Sequence, residues 1–127
     1  MYSGVEHFAV AAKDTARLAR WYQDILGFVV AYDNKKTPPT FFVRMGAGSM
    51  LELIPATEAP RQGRKTNDPG LSHFAISVGN FDAAQADLKA KGIELRDIRD
   101  ASRGVKVGYF DDPEGNLVQV IYRPEPL

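Results

Sequence analysis

The chain contains no cysteine, no long apolar run and no excess of charge of either sign. Without cysteine it can form neither disulfides nor thiolate-based metal or catalytic sites. Its apolar runs are too short to span a bilayer. Sixteen basic and sixteen acidic residues balance to a formal net charge of zero, and no basic stripe is interleaved with aromatics. We therefore expect no nucleic-acid or membrane partner. The first residues lack the pattern of a secretory signal, so a cytoplasmic location is expected.

The two histidines of the chain occupy matching positions in a repeated segment. Residues 4–10 read Gly-Val-Glu-His-Phe-Ala-Val, and residues 70–76 read Gly-Leu-Ser-His-Phe-Ala-Ile. His7 and His73 therefore correspond, and they are 66 residues apart (73 − 7). Because an internal repeat fixes the architecture, the whole chain is best interpreted as two copies of one unit.

The repeat extends to the end of each copy, where a glycine precedes an apolar strand that contains one polar residue. Those polar residues are Glu52 and Gln119, 67 residues apart (119 − 52). Periodicity and turn residues predict the order βαβββ in both copies. The predicted strands lie at 5–11, 28–32, 41–45, 49–54, 71–78, 93–96, 105–110 and 116–122, and the predicted helices lie between Asp14 and Gly27 and at 83–91, the latter with Asp82 and Gln85 as a capping box.

These elements predict an α+β fold in which two βαβββ repeats form a curled, eight-stranded mixed sheet with the helices outside. Residues 1–127 are expected to form a single domain, with repeat one at about 4–54, a linker at 55–69 and repeat two at about 70–123. Neither copy could bury its sheet face alone. The basic cluster at 61–65 favours a solvated linker over an anion-binding segment.

Side chains alternate across a strand, so the polar residues of the repeat can be assigned to a face. The bulky apolar residues should contact the helices, which leaves His7, Glu52, His73 and Gln119 on the concave face. A carboxylate among Met, Leu and Ile side chains is costly to bury unless a cation neutralises it. One histidine in an apolar strand is more often a core residue, but two in register with two polar partners favour a metal site.

The motifs of the chain resemble those of the vicinal oxygen chelate superfamily, which includes glyoxalase I, bleomycin resistance proteins and extradiol dioxygenases. The resemblance covers essentially the whole length. It rests on the segments Val-Glu-His-Phe-Ala-Val (5–10), Trp-Tyr-Gln-Asp-Ile-Leu-Gly-Phe (21–28), Leu-Glu-Leu (51–53), Gly-Leu-Ser-His-Phe-Ala (70–75) and Asp-Asp-Pro-Glu-Gly-Asn-Leu-Val-Gln (111–119).

The resemblance implies metal ligands on the first and last strand of each repeat, at His7, Glu52, His73 and Gln119. Glyoxalase I usually has glutamate where this chain has Gln119, which argues against a true glyoxalase I and against a fosfomycin thiol transferase. The set is similar to that of methylmalonyl-CoA epimerases, with carboxylate and amide placed differently. Ni²⁺, Co²⁺, Zn²⁺, Mn²⁺ and Fe²⁺ all accept such ligands.

The resulting hypothesis is a metal-dependent isomerase or lyase of the glyoxalase type, acting on a small oxygen-chelating substrate through an enediolate or enolate. Glu52 is the expected catalytic base as well as a ligand. Arg44, Tyr109 and Met50 are candidate substrate-binding residues, although surface placement or core packing would also explain them.

Two alternatives stay open, together with the assembly of the protein. One is a ligand-binding protein of the bleomycin-resistance type without catalysis, and the other is an Fe(II) extradiol dioxygenase that uses His7, His73 and Glu52. Exposed sheet edges and apolar helix surface predict a homodimer. The sequence leaves open whether the ligands meet within one chain or across that dimer.

Overall fold

The computed structural model describes residues 1–58 and 65–127, and the chain divides into two compact units, Met1–Arg61 and Gln62–Leu127. The boundary falls inside the predicted linker at 55–69. Most of the basic cluster at 61–65 lies outside the described residues. The assignment of the whole chain to one domain stays a prediction, and the two units are described separately below.

Both units have the predicted element order. The first contains β1 (His7–Ala12), α1 (Thr15–Leu26), β2 (Val29–Asp33), β3 (Phe41–Met45) and β4 (Ser49–Pro55). The second contains β5 (Phe74–Ser77), α2 (Phe81–Ala90), β6 (Arg96–Asp100), β7 (Lys106–Asp111) and β8 (Leu117–Tyr122), with a short 3₁₀ turn at Ser102–Gly104.

Each unit contains one four-stranded mixed sheet. The strand order is β1-β4-β3-β2 in the first and β5-β8-β7-β6 in the second. In both, the first and last strands of the unit run parallel and the remaining pairs are antiparallel. The predicted fold class, two βαβββ repeats with eight strands and two helices, is confirmed, and neither sheet is closed. No helix in the described parts of the chain is long and apolar enough to cross a lipid bilayer.

Helix α1 begins and ends at the predicted residues. The Asp14 side chain accepts a hydrogen bond from the Arg17 amide at 2.9 Å, and Gly27 ends the helix in the left-handed region at φ 69°. The helix buries Leu18 and Tyr22 completely. Each fully buried side chain of this size contributes about 1.5–3 kcal/mol of hydrophobic free energy.

The sheet of the first unit buries one face. The side chains of Val43, Leu51 and Leu53 on β3 and β4 have no exposed surface, and both strands contact α1. Replacing Leu51 with alanine would cost about 2–5 kcal/mol of stability, because it leaves a cavity in this layer. The alternation along β4 then directs Met50 and Glu52 to the other face.

The predicted start of the second helix was wrong. Asn80, rather than Asp82, is the N-cap of α2, and its side chain accepts a hydrogen bond from the Ala83 amide at 2.9 Å. Asp82 lies in the first turn, where a negative charge interacts favourably with the helix dipole. The first residue of the helix is Phe81, whose side chain is buried.

The position of β6 was also predicted wrongly, at 93–96 instead of Arg96–Asp100. The Ile93 amide donates to the Leu88 carbonyl at 2.8 Å and so belongs to the closure of α2. All five residues of β6 are exposed and four are charged, so the strand has no apolar alternation by which to recognise it. Pairing with β7 holds it in the sheet.

Candidate metal and substrate site

The register of the first sheet places several predicted site residues on one face. His7 lies opposite Met50, and Met50 lies opposite Arg44 on β3. Glu52 is two residues beyond Met50 on β4 and therefore projects from the same side. This face is opposite to the one that buries Leu51.

His7 and Glu52 lie close together on this face. The Nε2 atom of His7 is 3.4 Å from Oε2 of Glu52, and the Glu52 side chain is 23% exposed, so it is reachable from solvent. The other ring nitrogen, Nδ1, contacts the carboxylate of Glu6. The His7 ring also meets Phe42 edge to face, with centroids 5.3 Å apart.

The two carboxylates change the acidity of His7. The hydrogen bond that the protonated His7 ring donates to the Glu6 carboxylate is the largest cause that raises the pKa of His7 above its ordinary value, and the negative charges of Glu6 and Glu52 act in the same direction. Negative charge stabilises the imidazolium form. In the metal-free protein, His7 therefore holds its proton more tightly than a free histidine does.

Tyr109 connects the two predicted site residues of the second unit. The Gln119 side-chain amide donates a hydrogen bond to the Tyr109 hydroxyl at 2.6 Å, and both residues are buried. The His73 ring meets the Tyr109 ring edge to face, with centroids 5.6 Å apart. His73 lies one residue before β5, and its Nδ1 is 3.0 Å from the Ser72 hydroxyl.

The same local arrangement recurs at both histidines. In each repeat the side chain just before the histidine approaches Nδ1, and this side chain is Glu6 in one case and Ser72 in the other. Metal-binding histidines typically have one ring nitrogen held by such a partner while the other coordinates the metal. The donor chemistry of both histidines therefore fits a metal ligand that uses Nε2.

The described residues contain no large cluster of acidic and histidine side chains. Across residues 1–58 and 65–127, no group of three or more histidine, aspartate or glutamate side chains could hold a metal ion. The structure brings His7 to Glu52, and it brings His73 and Gln119 to Tyr109. The common four-ligand site stays a prediction.

The three predicted substrate-binding residues differ in exposure. Arg44 is exposed and Met50 is half-buried on the face that carries His7. Tyr109 is buried beside Gln119. Its hydroxyl accepts the Gln119 N–H, a role that the sequence did not predict.

Glu6 and Ser72 are further site residues that the sequence reasoning missed. The signal was present, because each precedes a repeated histidine and each carries a hydrogen-bonding side chain. A residue next to a histidine in the sequence is not normally expected to contact it, since neighbouring side chains in a strand project to opposite faces.

Comparison with known proteins assigns the family. The family model described as the Glyoxalase/Bleomycin resistance protein/Dioxygenase superfamily matches residues 4–120. The chain belongs to this superfamily. The match includes both repeats and all four predicted metal ligands, and it confirms the resemblance stated above.

Three similar proteins illustrate the range of this superfamily. The chain is 30% identical over 115 residues to the uncharacterised YaeR protein of Escherichia coli, covering 87% of this chain and 89% of that protein. It is 33% identical over 116 residues to human mitochondrial methylmalonyl-CoA epimerase, covering 86% of this chain but 62% of the epimerase. The crystal structure of a glyoxalase family protein from Enterococcus faecalis has a TM-score of 0.80 at 24% identity, over 94% of this chain and 98% of that one.

Proposed function

We propose that this superfamily member is a metal-dependent isomerase or lyase that moves a proton on a carbon next to a carbonyl group of a small substrate. The observation that carries the proposal is the approach of His7 Nε2 to the Glu52 carboxylate, with Nδ1 of the same ring held by Glu6. The similarity to methylmalonyl-CoA epimerase supports the same class of reaction.

The ligands of the proposed metal ion are His7, Glu52, His73 and Gln119. Two neutral imidazoles, one carboxylate and one amide leave a divalent ion with a net charge near +1, and Ni²⁺, Co²⁺, Zn²⁺, Mn²⁺ and Fe²⁺ all tolerate this set. When bound, such an ion supplies Lewis acidity toward a substrate oxygen. Tyr109 holds the Gln119 nitrogen, which leaves the amide oxygen as the atom offered for coordination.

Glu52 is the proposed base. It is partly exposed on the face that carries His7, so a substrate bound over this face can reach its carboxylate. A carboxylate that accepts a proton from carbon must return it to the same or a neighbouring atom, and one residue can do both. Arg44 and Met50, which pair with each other two positions along the same face, are the proposed contacts for the rest of the substrate.

A second candidate is binding without catalysis. It is favoured by one observation, which is that no three acidic or imidazole side chains cluster as a metal site within the described ranges. On this account, the same sheet face would bind a ligand through Met50 and Phe42 without proton transfer.

Proton exchange into deuterated water distinguishes the two candidates. The purified chain, loaded in turn with each of the five metal ions, is incubated with 2-oxoaldehyde–thiol adducts and with 2-methyl-branched acyl thioesters. We expect metal-dependent exchange of one substrate proton. Glu52→Gln should lower its rate by about 10²–10⁴-fold, the usual contribution of one general base.

Glu58→Gln is the matched control, because it makes the same change on the same unit at an exposed residue outside the site. Its rate should equal that of the wild type. Tight binding of a substrate with no exchange under any metal would replace the proposal with the binding role. Oxygen consumption with Fe²⁺ and a catechol would instead identify a dioxygenase.

We also propose that the protein is a homodimer. Val29 and Tyr32 on the edge strand β2 are 62% and 56% exposed, and Phe8 on the other edge strand, β1, is 37% exposed. Apolar side chains on exposed edges are favoured sites for association. A cytoplasmic location stays a prediction.

A further inference from the structure

The second unit contains a pocket of about 560 Å³. Of the site residues predicted from the sequence, Tyr109 lines this pocket. Its polar lining comes from Thr66, Asn67, Arg96, Asp97, Arg99 and Tyr109. The volume lies within the range of about 300–1,000 Å³ that is usual for small-molecule sites.

A β-bulge places both arginines of β6 on the same side of the sheet. Arg96 pairs with Tyr109, and Arg99 pairs with Val107, so β6 advances three residues while β7 advances two. In a regular strand, residues three apart point to opposite faces. The extra residue restores a common face, and Asp97 in the bulge has a left-handed backbone at φ 51°.

The two guanidinium groups differ in their partners. Arg96 donates to the Asp111 carboxylate at 2.9 Å, which fixes its position at the pocket. Arg99 makes no ion pair with any residue in the described parts of the chain. A guanidinium has five N–H donors in a planar fork that matches carboxylate and phosphate oxygens.

Tyr109 adds a further donor and connects this pocket to the proposed metal site. Its hydroxyl already accepts the Gln119 N–H, so its own O–H is available to donate. Thr66 and Asn67 add a hydroxyl and an amide to the lining. Donors therefore outnumber acceptors around the cavity.

The acidic groups at the pocket leave one of the two guanidinium groups without an ion-pair partner among the described residues. Asp111 is engaged by Arg96, and Asp97 is the one carboxylate among the lining residues. With the charges of Arg96 and Asp111 neutralising each other, Arg99 and Asp97 leave one positive and one negative group at the described lining. Within residues 1–58 and 65–127 the guanidinium without an ion-pair partner is Arg99, and an entering ligand can bind it without displacing an ion-pair partner from these residues.

We infer that this pocket binds a substrate oxyanion, a carboxylate or a phosphate group, through Arg99, with Arg96 and the Tyr109 hydroxyl as additional donors. The substrate would then carry an anionic group at one end and its reacting carbonyl at the Gln119 end. That assignment to the substrate rests on the proposed function, whereas binding of an oxyanion to the pocket does not.

The test is an NMR titration of the full, metal-free chain with two probes, inorganic phosphate and succinate. The signals to follow are the side-chain N–H groups of Arg96 and Arg99 and the backbone amides of residues 66–67. We expect saturable shifts at these groups, and the tighter-binding probe identifies phosphate or carboxylate as the natural group. Arg99→Gln should weaken the binding by at least about tenfold, the loss of one charge-assisted hydrogen bond.

Arg123→Gln is the matched control, because it removes the same charge from an exposed residue of the same unit that does not line the pocket. It should change the affinity less than about twofold, well below the effect of a lost contact. Arg99→Lys keeps the positive charge but lacks the planar guanidinium, so it should bind the probes with intermediate affinity. It also serves in place of Arg99→Gln if that variant does not fold. No shifts with either probe, or equal weakening by Arg99→Gln and Arg123→Gln, would overturn the inference.

The two proposals can fail separately. Probe binding that depends on Arg99, in a chain that exchanges no substrate proton, removes the proposed function and leaves the pocket assignment in place. Normal exchange with an unchanged KM in Arg99→Gln removes the pocket from substrate binding and leaves the catalytic proposal in place.

Discussion

The Nε2 atom of His7 lies 3.4 Å from the Oε2 atom of Glu52, on neighbouring parallel strands of the same sheet. The contact joins a strand at the start of the first repeat to the strand at its end. The residues between His7 and Glu52 form the rest of the βαβββ unit. The pair is therefore held together by the fold and not by local sequence. The same topology serves His73 and Gln119 in the second repeat, where both contact Tyr109.

Glu6 should control the protonation of His7. Because its hydrogen bond is the largest cause that raises the pKa of His7, Glu6→Gln should lower that pKa, as measured by NMR titration of the imidazole signals in metal-free protein. A raised pKa stabilises the folded state below the ordinary pKa of histidine, and this stabilisation is lost as the pH rises through the folded-state value. Glu58→Gln should leave the titration unchanged, and an unshifted His7 in Glu6→Gln would contradict the assignment.

The raised pKa of His7 also affects the pH dependence of metal binding. A histidine must lose its proton to coordinate, so affinity should fall as the pH drops through the raised pKa of His7. In the Glu6→Gln variant this fall should occur at lower pH. Metal titrations on either side of the wild-type midpoint would measure the displacement, and coincident pH profiles would show that Glu6 has no such role.

Tyr109→Phe should destabilise the second unit. It leaves the buried Gln119 amide without the acceptor that it has at 2.6 Å, and an unsatisfied buried donor costs about 1–3 kcal/mol. Tyr122→Phe, which removes a hydroxyl from a half-buried tyrosine of the same unit, should change the free energy of unfolding by less than about 0.5 kcal/mol. Urea denaturation of both variants provides the comparison, and equal stabilities would show that the hydrogen bond contributes nothing.

The homodimer predicts a mass of twice 14.0 kDa by light scattering at micromolar concentration. Val29→Lys together with Tyr32→Lys should shift it toward the monomer, since both exposed side chains lie on the edge strand β2. A monomeric wild type would contradict the prediction. For a dimer, an equal mixture of His7→Ala and His73→Ala chains restores about a quarter of all sites, one of the two in each mixed dimer, only if each site takes its ligands from two chains.

Much of the fold could be predicted because the repeat and the turn residues are local signals. The strand Phe41–Met45 and the caps Asp14 and Gly27 are placed as predicted. The strand β6 was missed because its charged residues carry no apolar alternation, and its position depends on hydrogen bonds to β7. Local sequence does not encode such tertiary pairing.

The candidate site was predictable to a smaller extent. Strand alternation correctly put Glu52 on the opposite face from Leu51, and the structure places His7 beside it. The contacts of Glu6 and Ser72 with the histidines, and the hydrogen bond between Gln119 and Tyr109, depend on side-chain conformations that no spacing rule supplies. The pocket beside Arg99 was missed because it depends on the bulge in β6, which arises from the pairing of this strand with β7.

The most direct test of the account is a metal titration of the metal-free chain by calorimetry with Ni²⁺, Co²⁺, Zn²⁺, Mn²⁺ and Fe²⁺, the last under anaerobic conditions. The proposed metal site predicts one ion per chain for at least one of these metals. It also predicts that His7→Ala and His73→Ala each abolish stoichiometric binding while Arg123→Gln keeps it, because imidazole is the strongest ligand type in the proposed set. A wild-type chain that binds none of the five ions, or histidine variants that still bind one ion per chain, would contradict it.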